Sequence, residues 1–327
     1  GNSVSDLEAN ARFHARVTYA NTNPEVPWST IITLSDASLG LSFGNTHPRP
    51  VGLGTVMEYA ATLNGSEISW RNSATSTVTY STPSWTGHQY NHQADSSIKI
   101  ADGNTDLNNN RFTIIDGNNR SRAGLHVDGG TANLTGSNTF NVYGVNSKKN
   151  DGVLVANGNL TTRGTNAFNI YGSKNNGLEI TGGTVTMKGT TNFDVGGTQN
   201  NNGIFLNGGD LDAEGVHMTL SSGKQQIGLN NTNGSSAKLK TGSFSITNGV
   251  TESNAVYANK DTTTESIAYT IRTTTGKNNG VYLNGSAKLD DKTSTYTVEG
   301  SENNGIYSAS SGLASIQAPT FDVSGNK

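Results

Sequence analysis

From Gly124 onward, apolar and polar positions alternate in short stretches that return about every 25 residues. Each unit reads glycine, apolar, x, apolar, then a Gly/Asn/Thr turn, then aromatic, x, aliphatic, x, glycine. The anchor glycines are Gly124, Gly152, Gly177, Gly203, Gly228, Gly280 and Gly305, with Ala255 standing in for one of them, and the steps between them run from 25 to 28 residues. A second column keeps pace: Phe112, Phe140, Phe168, Phe193, Met218, Phe244, Tyr269, Tyr296 and Phe321, each followed two residues later by Ile, Val or Leu. Such alternation is the mark of a strand with one buried face. A shorter third stretch, as in Leu160/Thr162, Val185/Met187 and Leu211/Ala213, lies between the two, so each unit holds about three short strands.

A three-strand unit of this size cannot bury its inward face alone. Only the units above and below can cover it, so the period predicts a solenoid. Stacked at ~4.8 Å, nine coils from Ile98 to Val323 make a rod roughly 40 Å long. Asn and Gly tolerate the left-handed backbone of sharp corners. The triplets Asn175-Asn176-Gly177, Asn201-Asn202-Gly203, Asn278-Asn279-Gly280 and Asn303-Asn304-Gly305 occupy one such corner in different coils. The period of 18 expected of a hexapeptide left-handed helix is absent.

The fold class predicted is therefore all-β, a parallel β-helix with coils of about 25 residues. Composition fits a thin core: of 327 residues, 32% are hydrophobic, 14% charged and 40 are glycine. Disordered chains lack apolar periodicity sustained over this length. A formal net charge of −3 gives no electrostatic case for nucleic acid or an anionic membrane. Without cysteine there are neither disulfides nor thiolate metal sites. The sequence has no apolar run of 18 residues and no signal-peptide pattern.

Residues 1–95 differ from the rest. They hold Trp28, Trp70 and Trp85, five of six prolines and four of six histidines. Residues 30–43 and 56–70 still read as strands. The expectation is an irregular N-terminal cap with early coils and loops over residues 1–95, covering the open sheet edge, and a regular solenoid over 96–327. A separate small binding domain is the alternative for the first part.

The repeats around Lys174-Asn175-Asn176-Gly177-Leu178, Asn202 to Gly209 and Asn279 to Gly285 resemble the passenger domains of type Va autotransporters. The likeness is in pattern and composition and covers roughly residues 30 to 327. It implies a right-handed parallel β-helix displayed on the surface of a Gram-negative bacterium, exported across the outer membrane and either held there by a C-terminal barrel outside this chain or released. It also implies an adhesin or a mediator of cell aggregation and biofilm. The partner is then another copy on a neighbouring cell, or a host glycan or matrix protein.

Catalytic patterns are weak. Glycoside hydrolysis needs two placed carboxylates. Asn104-Thr105-Asp106 and Asp290-Asp291 match fragments of the polygalacturonase pattern but lie 184 residues apart, without Gly-His-Gly or Arg-Ile-Lys. No nucleophile elbow precedes a helix. His126 and His217 fall on outward positions. His88 and His92 have helical metal-pair spacing in a loop-like context. The chain reads as non-enzymatic, with no cofactor and no metal.

Outward positions offer binding candidates. In the first strand they include Glu179, Phe205, Tyr257, Tyr282 and Tyr307. The three tyrosines form a row that either stacks on sugars or protein, or stabilises the sheet by cross-coil stacking. On the aromatic strand the outward column includes Asn141, Asn169, Asp194, Thr219, Thr270 and Thr297, either a self-association strip or an ordinary solvated face. Lys149, Lys174 and Lys277 share a corner position and make a candidate row for an anionic glycan. The neighbouring Asn pairs suggest an internal ladder of stacked amides. The function expected is an adhesin passenger. A polysaccharide-active or tailspike-like β-helix enzyme and a stalk presenting the N-terminal region are the alternatives.

Overall fold

The structure, a computed structural model, describes residues 149–325 except 248 and 275, residues 122–142 and 103–108, and the strands Ala15–Tyr19, Leu34–Asp36, Leu41–Phe43, Met57–Ala61, Glu67–Asn72, Thr77–Ser81, Ser96–Ile100 and Arg111–Ile115. Trp28, Trp85, His88 and His92 lie outside the described residues, as does the side chain of Trp70.

From Ser96 onward the chain winds into a parallel β-solenoid with three sheets, one for each strand type of the repeat. The glycine sheet runs from Ser96–Ile100 through Asn175–Ile180 and Asn202–Leu206 to Asn304–Ser308. The middle sheet runs from Asn104–Asn108 to Leu313–Gln317. The aromatic sheet runs from Arg111–Ile115 to Thr320–Ser324. Equivalent repeat positions pair directly: Phe140 faces Phe168, which faces Phe193, which faces Met218. Nine strands in each sheet give eight steps between coils, or roughly 40 Å at ~4.8 Å per step.

Inward side chains form one continuous buried core. Phe112, Phe140 and Phe168 are fully buried, and their rings stack at 4.7 Å with interplanar angles of 4° and 10°. Phe193 extends the stack at 4.6 Å. After the Met218 interruption it resumes through Phe244, Tyr269, Tyr296 and Phe321. Stacked aromatics of this kind add about 0.5–1.5 kcal/mol per pair beyond area burial.

The anchor glycines follow from this packing. They are needed for space, since none of the seven is among the positive-φ residues. A Cβ on Gly152 would sit 2.7 Å from the Gly177 carbonyl oxygen and 3.2 Å from the Phe168 ring. Gly177 would meet Gly203 in the same way at 2.8 Å. The corner before the glycine sheet does use left-handed backbone, at Lys174, Asn200, Gln225, Glu252, Lys277 and Glu302.

The asparagine pairs divide between the two faces, because two consecutive buried residues at the anchor break the alternation. The first of each pair points inward, as Asn175, Asn201 and Asn278, all fully buried. Its side-chain oxygen accepts the backbone N–H one coil earlier: Asn201 serves Asn175 at 2.9 Å and Asn303 serves Asn278 at 3.2 Å. Gln226 and Ser253 continue the ladder. The second residue of each pair points outward, so only half of the expected internal ladder is internal.

At the N-terminal end four antiparallel strands, Ala15–Tyr19, Met57–Ala61, Glu67–Asn72 and Thr77–Ser81, join the aromatic sheet, with Val78 opposite Ile114. They occupy its first edge, in keeping with an irregular cap. In the last coil the side chains of Leu313, Phe321 and Val323 are exposed, because no coil among the described residues lies over them.

Candidate functional site

Repetition places like residues side by side on the outer faces, and on the glycine sheet this builds a groove of about 520 Å³. Its lining repeats over three coils: Glu252 and Asn254, then Lys277, Asn279 and Tyr282, then Glu302, Asn304 and Tyr307. Tyr257, in register with Tyr282, belongs to the same row. The amides chain together along the floor. Asn304 Nδ2 donates to Asn279 Oδ1 at 2.9 Å, and Asn279 Nδ2 to Asn254 Oδ1 at 2.8 Å.

The tyrosines form one wall. Tyr257 and Tyr282 stack at 5.2 Å and 15°, so their faces are turned onto each other, and Tyr282 lines the groove. Tyr307 continues the row, 5.3 Å from Tyr282 and tilted 34° to it. Burial, then the neighbouring Tyr282, raises the pKa of Tyr257 above its ordinary value of 10.0. Its phenol is therefore a neutral hydroxyl at physiological pH.

The opposite wall is the left-handed corner, where Lys277 lies between Glu252 and Glu302 in the column. Of the lysine row, Lys174 is exposed at the same corner and Lys149 is engaged elsewhere. Its ammonium pairs with Glu179 and lies 5.8 Å from the centroid of the half-buried Phe205 ring. The structure thus brings Tyr257, Tyr282, Tyr307 and Lys277 together and leaves Phe205, Lys149 and Lys174 outside that groove.

Glu179 departs from its expected exposure. Although on an outward position, it is 1% exposed, and beside it Asp151 is also buried. Asp151 accepts Asn176 Nδ2 at 2.9 Å. Burial first, and then the Glu179 charge, push the Asp151 carboxyl well above the ordinary carboxylate range. Both effects favour the neutral form of Asp151 beside Glu179, which pairs with Lys149.

On the aromatic sheet the outward column forms one straight file. Thr113, Asn141, Asn169, Asp194, Thr219, Ser245, Thr270, Thr297 and Asp322 are each in register with the next. Part of it is satisfied internally, by Asn169 Nδ2 to Asn141 Oδ1 at 2.8 Å and Tyr171 hydroxyl to Asp194 Oδ2 at 2.5 Å. The middle sheet carries alternating charges, Lys188, Glu214, Lys240, Glu265 and Lys292, on successive coils. Lys188 and Glu214 pair at 2.9 Å.

The catalytic fragments are far apart in space as well as in sequence. Asn104 and Asp106 are exposed near the first coils and bond Asn133. Asp291 is fully buried inside the tube, where it accepts the hydroxyls of Thr264 and Ser294 at 2.6 Å and Tyr296 at 2.8 Å. His217 is exposed and bonds Ser243 at 2.7 Å, while His126 is half-buried. Among the described residues no group of three His, Asp or Glu side chains gathers to hold a metal ion, and no helix is long and apolar enough to cross a membrane.

Sequence reasoning missed Glu252, Asn254, Asn279, Glu302 and Asn304 as groove residues. Strict alternation from Val256/Ala258 and Val281/Leu283 turns the position before the anchor inward; two consecutive buried residues at the anchor break the alternation and turn it outward. Compared with protein-family models, with curated proteins and with solved structures, the chain matches none.

Proposed function

We propose that this chain is the β-helical passenger of a type Va autotransporter, a bacterial surface adhesin that acts through its long outer faces and not by catalysis. The observation that carries the reading is the file from Asn141 to Asp322. From Asn141 to Asp322, eight short, mostly uncharged side chains in register present a straight hydrogen-bonding strip. A second copy arriving antiparallel meets the same strip, so each residue finds a complementary donor or acceptor. The reading places the protein at the bacterial cell surface, where such contacts join neighbouring cells or attach them to a matrix.

Sedimentation velocity over a concentration series, paired with settling of cells that display the chain, tests it. Concentration-dependent dimers and settling cells are expected, with both lost in the triple variant Thr219→Glu, Thr270→Glu, Thr297→Glu. A strict monomer on non-settling cells would remove self-association.

One observation favours a second reading, a polysaccharide-active enzyme. Glu252 and Glu302 line the same groove two coils apart, close to the carboxyl separation of inverting glycosidases. Release of reducing ends from a polysaccharide, abolished in Glu252→Gln, would establish it.

A further inference from the structure

We propose that the groove on the glycine sheet binds a neutral, extended saccharide chain lying along the solenoid axis, with one sugar unit per coil. The inference supplies a ligand for the attachment side of the adhesin reading. It is independent of the strip on the aromatic sheet.

Period comes first. The same three positions recur in register on consecutive coils: Glu252, Asn254 and Tyr257; Lys277, Asn279 and Tyr282; Glu302, Asn304 and Tyr307. Subsites therefore repeat at ~4.8 Å. An extended peptide advances only ~3.3 Å per residue and falls out of step within two residues. An equatorially linked hexopyranose chain advances by close to one coil per sugar, so each unit meets the same set of groups.

The groups also suit hydroxyls. In the amide ladder Asn279 donates one N–H to Asn254 and accepts one from Asn304, and the second N–H of its amide remains to donate. The two glutamates accept from vicinal hydroxyl pairs, and the tyrosine hydroxyls do either. The tyrosine rings lie against one another, Tyr257 on Tyr282 at 5.2 Å and Tyr307 against Tyr282 at 5.3 Å, so the row offers a sugar chain its edges. This excludes a ligand threaded across a row of open rings.

Charge then selects within the saccharides. Two glutamates flank the single Lys277, so the groove carries a net charge of about −1 along its wall. A polyanionic glycan would be repelled at two coils for each at which it is attracted. A neutral chain suffers neither effect.

The test uses the whole chain and titrates it calorimetrically with cellohexaose and chitohexaose, with a heparin hexasaccharide as the anionic probe. Saturable binding of a neutral probe is expected, at least tenfold tighter than heparin. It should weaken at least tenfold in Tyr307→Ala and in Glu302→Gln, both surface changes, and remain unchanged in Thr270→Glu. Affinity should climb from one sugar to three and then level off. Absence of saturable neutral binding, a preference for heparin, or equal affinity in the two groove variants would overturn the proposal. Loss of dimers in the aromatic-sheet variant with saccharide binding intact would separate the two sites. Shortening of the hexaose during titration would keep the ligand class and overturn the non-enzymatic reading.

Discussion

Gln226 stands where its neighbours carry asparagine, and its Oε1 accepts the backbone N–H of Asn201 at 3.1 Å, one coil away. Both residues are fully buried. What this corner requires is an oxygen at the right height, and Asn, Gln and Ser each supply one.

Gln226→Ala should therefore strand a buried N–H. A loss of about 1–3 kcal/mol is expected. Urea denaturation checks it, and Gln226→Asn should retain most of the stability.

The same approach to close packing governs the anchor column. Gly152→Ala forces a methyl within 2.7 Å of a rigid backbone carbonyl. Overpacking of this type costs about 1–3 kcal/mol. Ala255→Gly should cost less, about 0.5–1 kcal/mol from backbone entropy, so the urea midpoints of the two variants should rank accordingly.

Inside the tube, Asp291 is the acceptor for Thr264, Ser294 and Tyr296. Asp291→Ala leaves three buried hydroxyls without it, at about 1–3 kcal/mol for each one that finds no substitute. The thermal midpoint should fall far more than in Asp290→Ala, since Asp290 is exposed.

The acid pair gives a pH signature. The folded-state pKa of Asp151 is raised above its ordinary 3.8, so the folded chain holds this proton more tightly than the unfolded one. The stability this contributes is fully present below about pH 3.8 and is lost as pH rises towards the folded value. Asp151→Asn keeps a donor to Glu179 and cannot ionise. Its stability relative to the parent should therefore grow between pH 4 and 8, as read by denaturation at fixed ionic strength; parallel curves would show that Asp151 ionises normally.

Burial also raises Tyr269 and Tyr296 above their ordinary 10.0. Unfolding should thus become easier above about pH 10, where only the unfolded chain gives up these protons. Replacing both with phenylalanine should flatten that alkaline limb in a pH titration followed by circular dichroism.

Much of this was legible in the sequence. Phe112 to Phe321 gave one column and Gly124 to Gly305 another, and parallel pairing in register turns any column of fixed period into a straight row. The tyrosine row and the file from Asn141 to Thr297 were readable for that reason. Glu179 was not, because parity assigns a side chain to a face and says nothing of what covers that face. Nor was Asp291, since its hydroxyl partners come from the neighbouring coil, the following turn and the next strand. The lysine row failed to read as one because Lys149 is drawn to a buried carboxylate 30 residues away.

By itself the sequence determined the architecture: a 25-residue period too short to enclose its own core has to stack, and glycine and asparagine at fixed places have to turn. Tertiary structure alone decided how the outer groups meet. Ring faces close onto one another, carboxylates are buried or stand in water, and amides point in or out according to contacts between coils. Those contacts join residues about 25 positions apart through space, where distances of a few tenths of an ångström settle which groups bond and which remain available to a ligand.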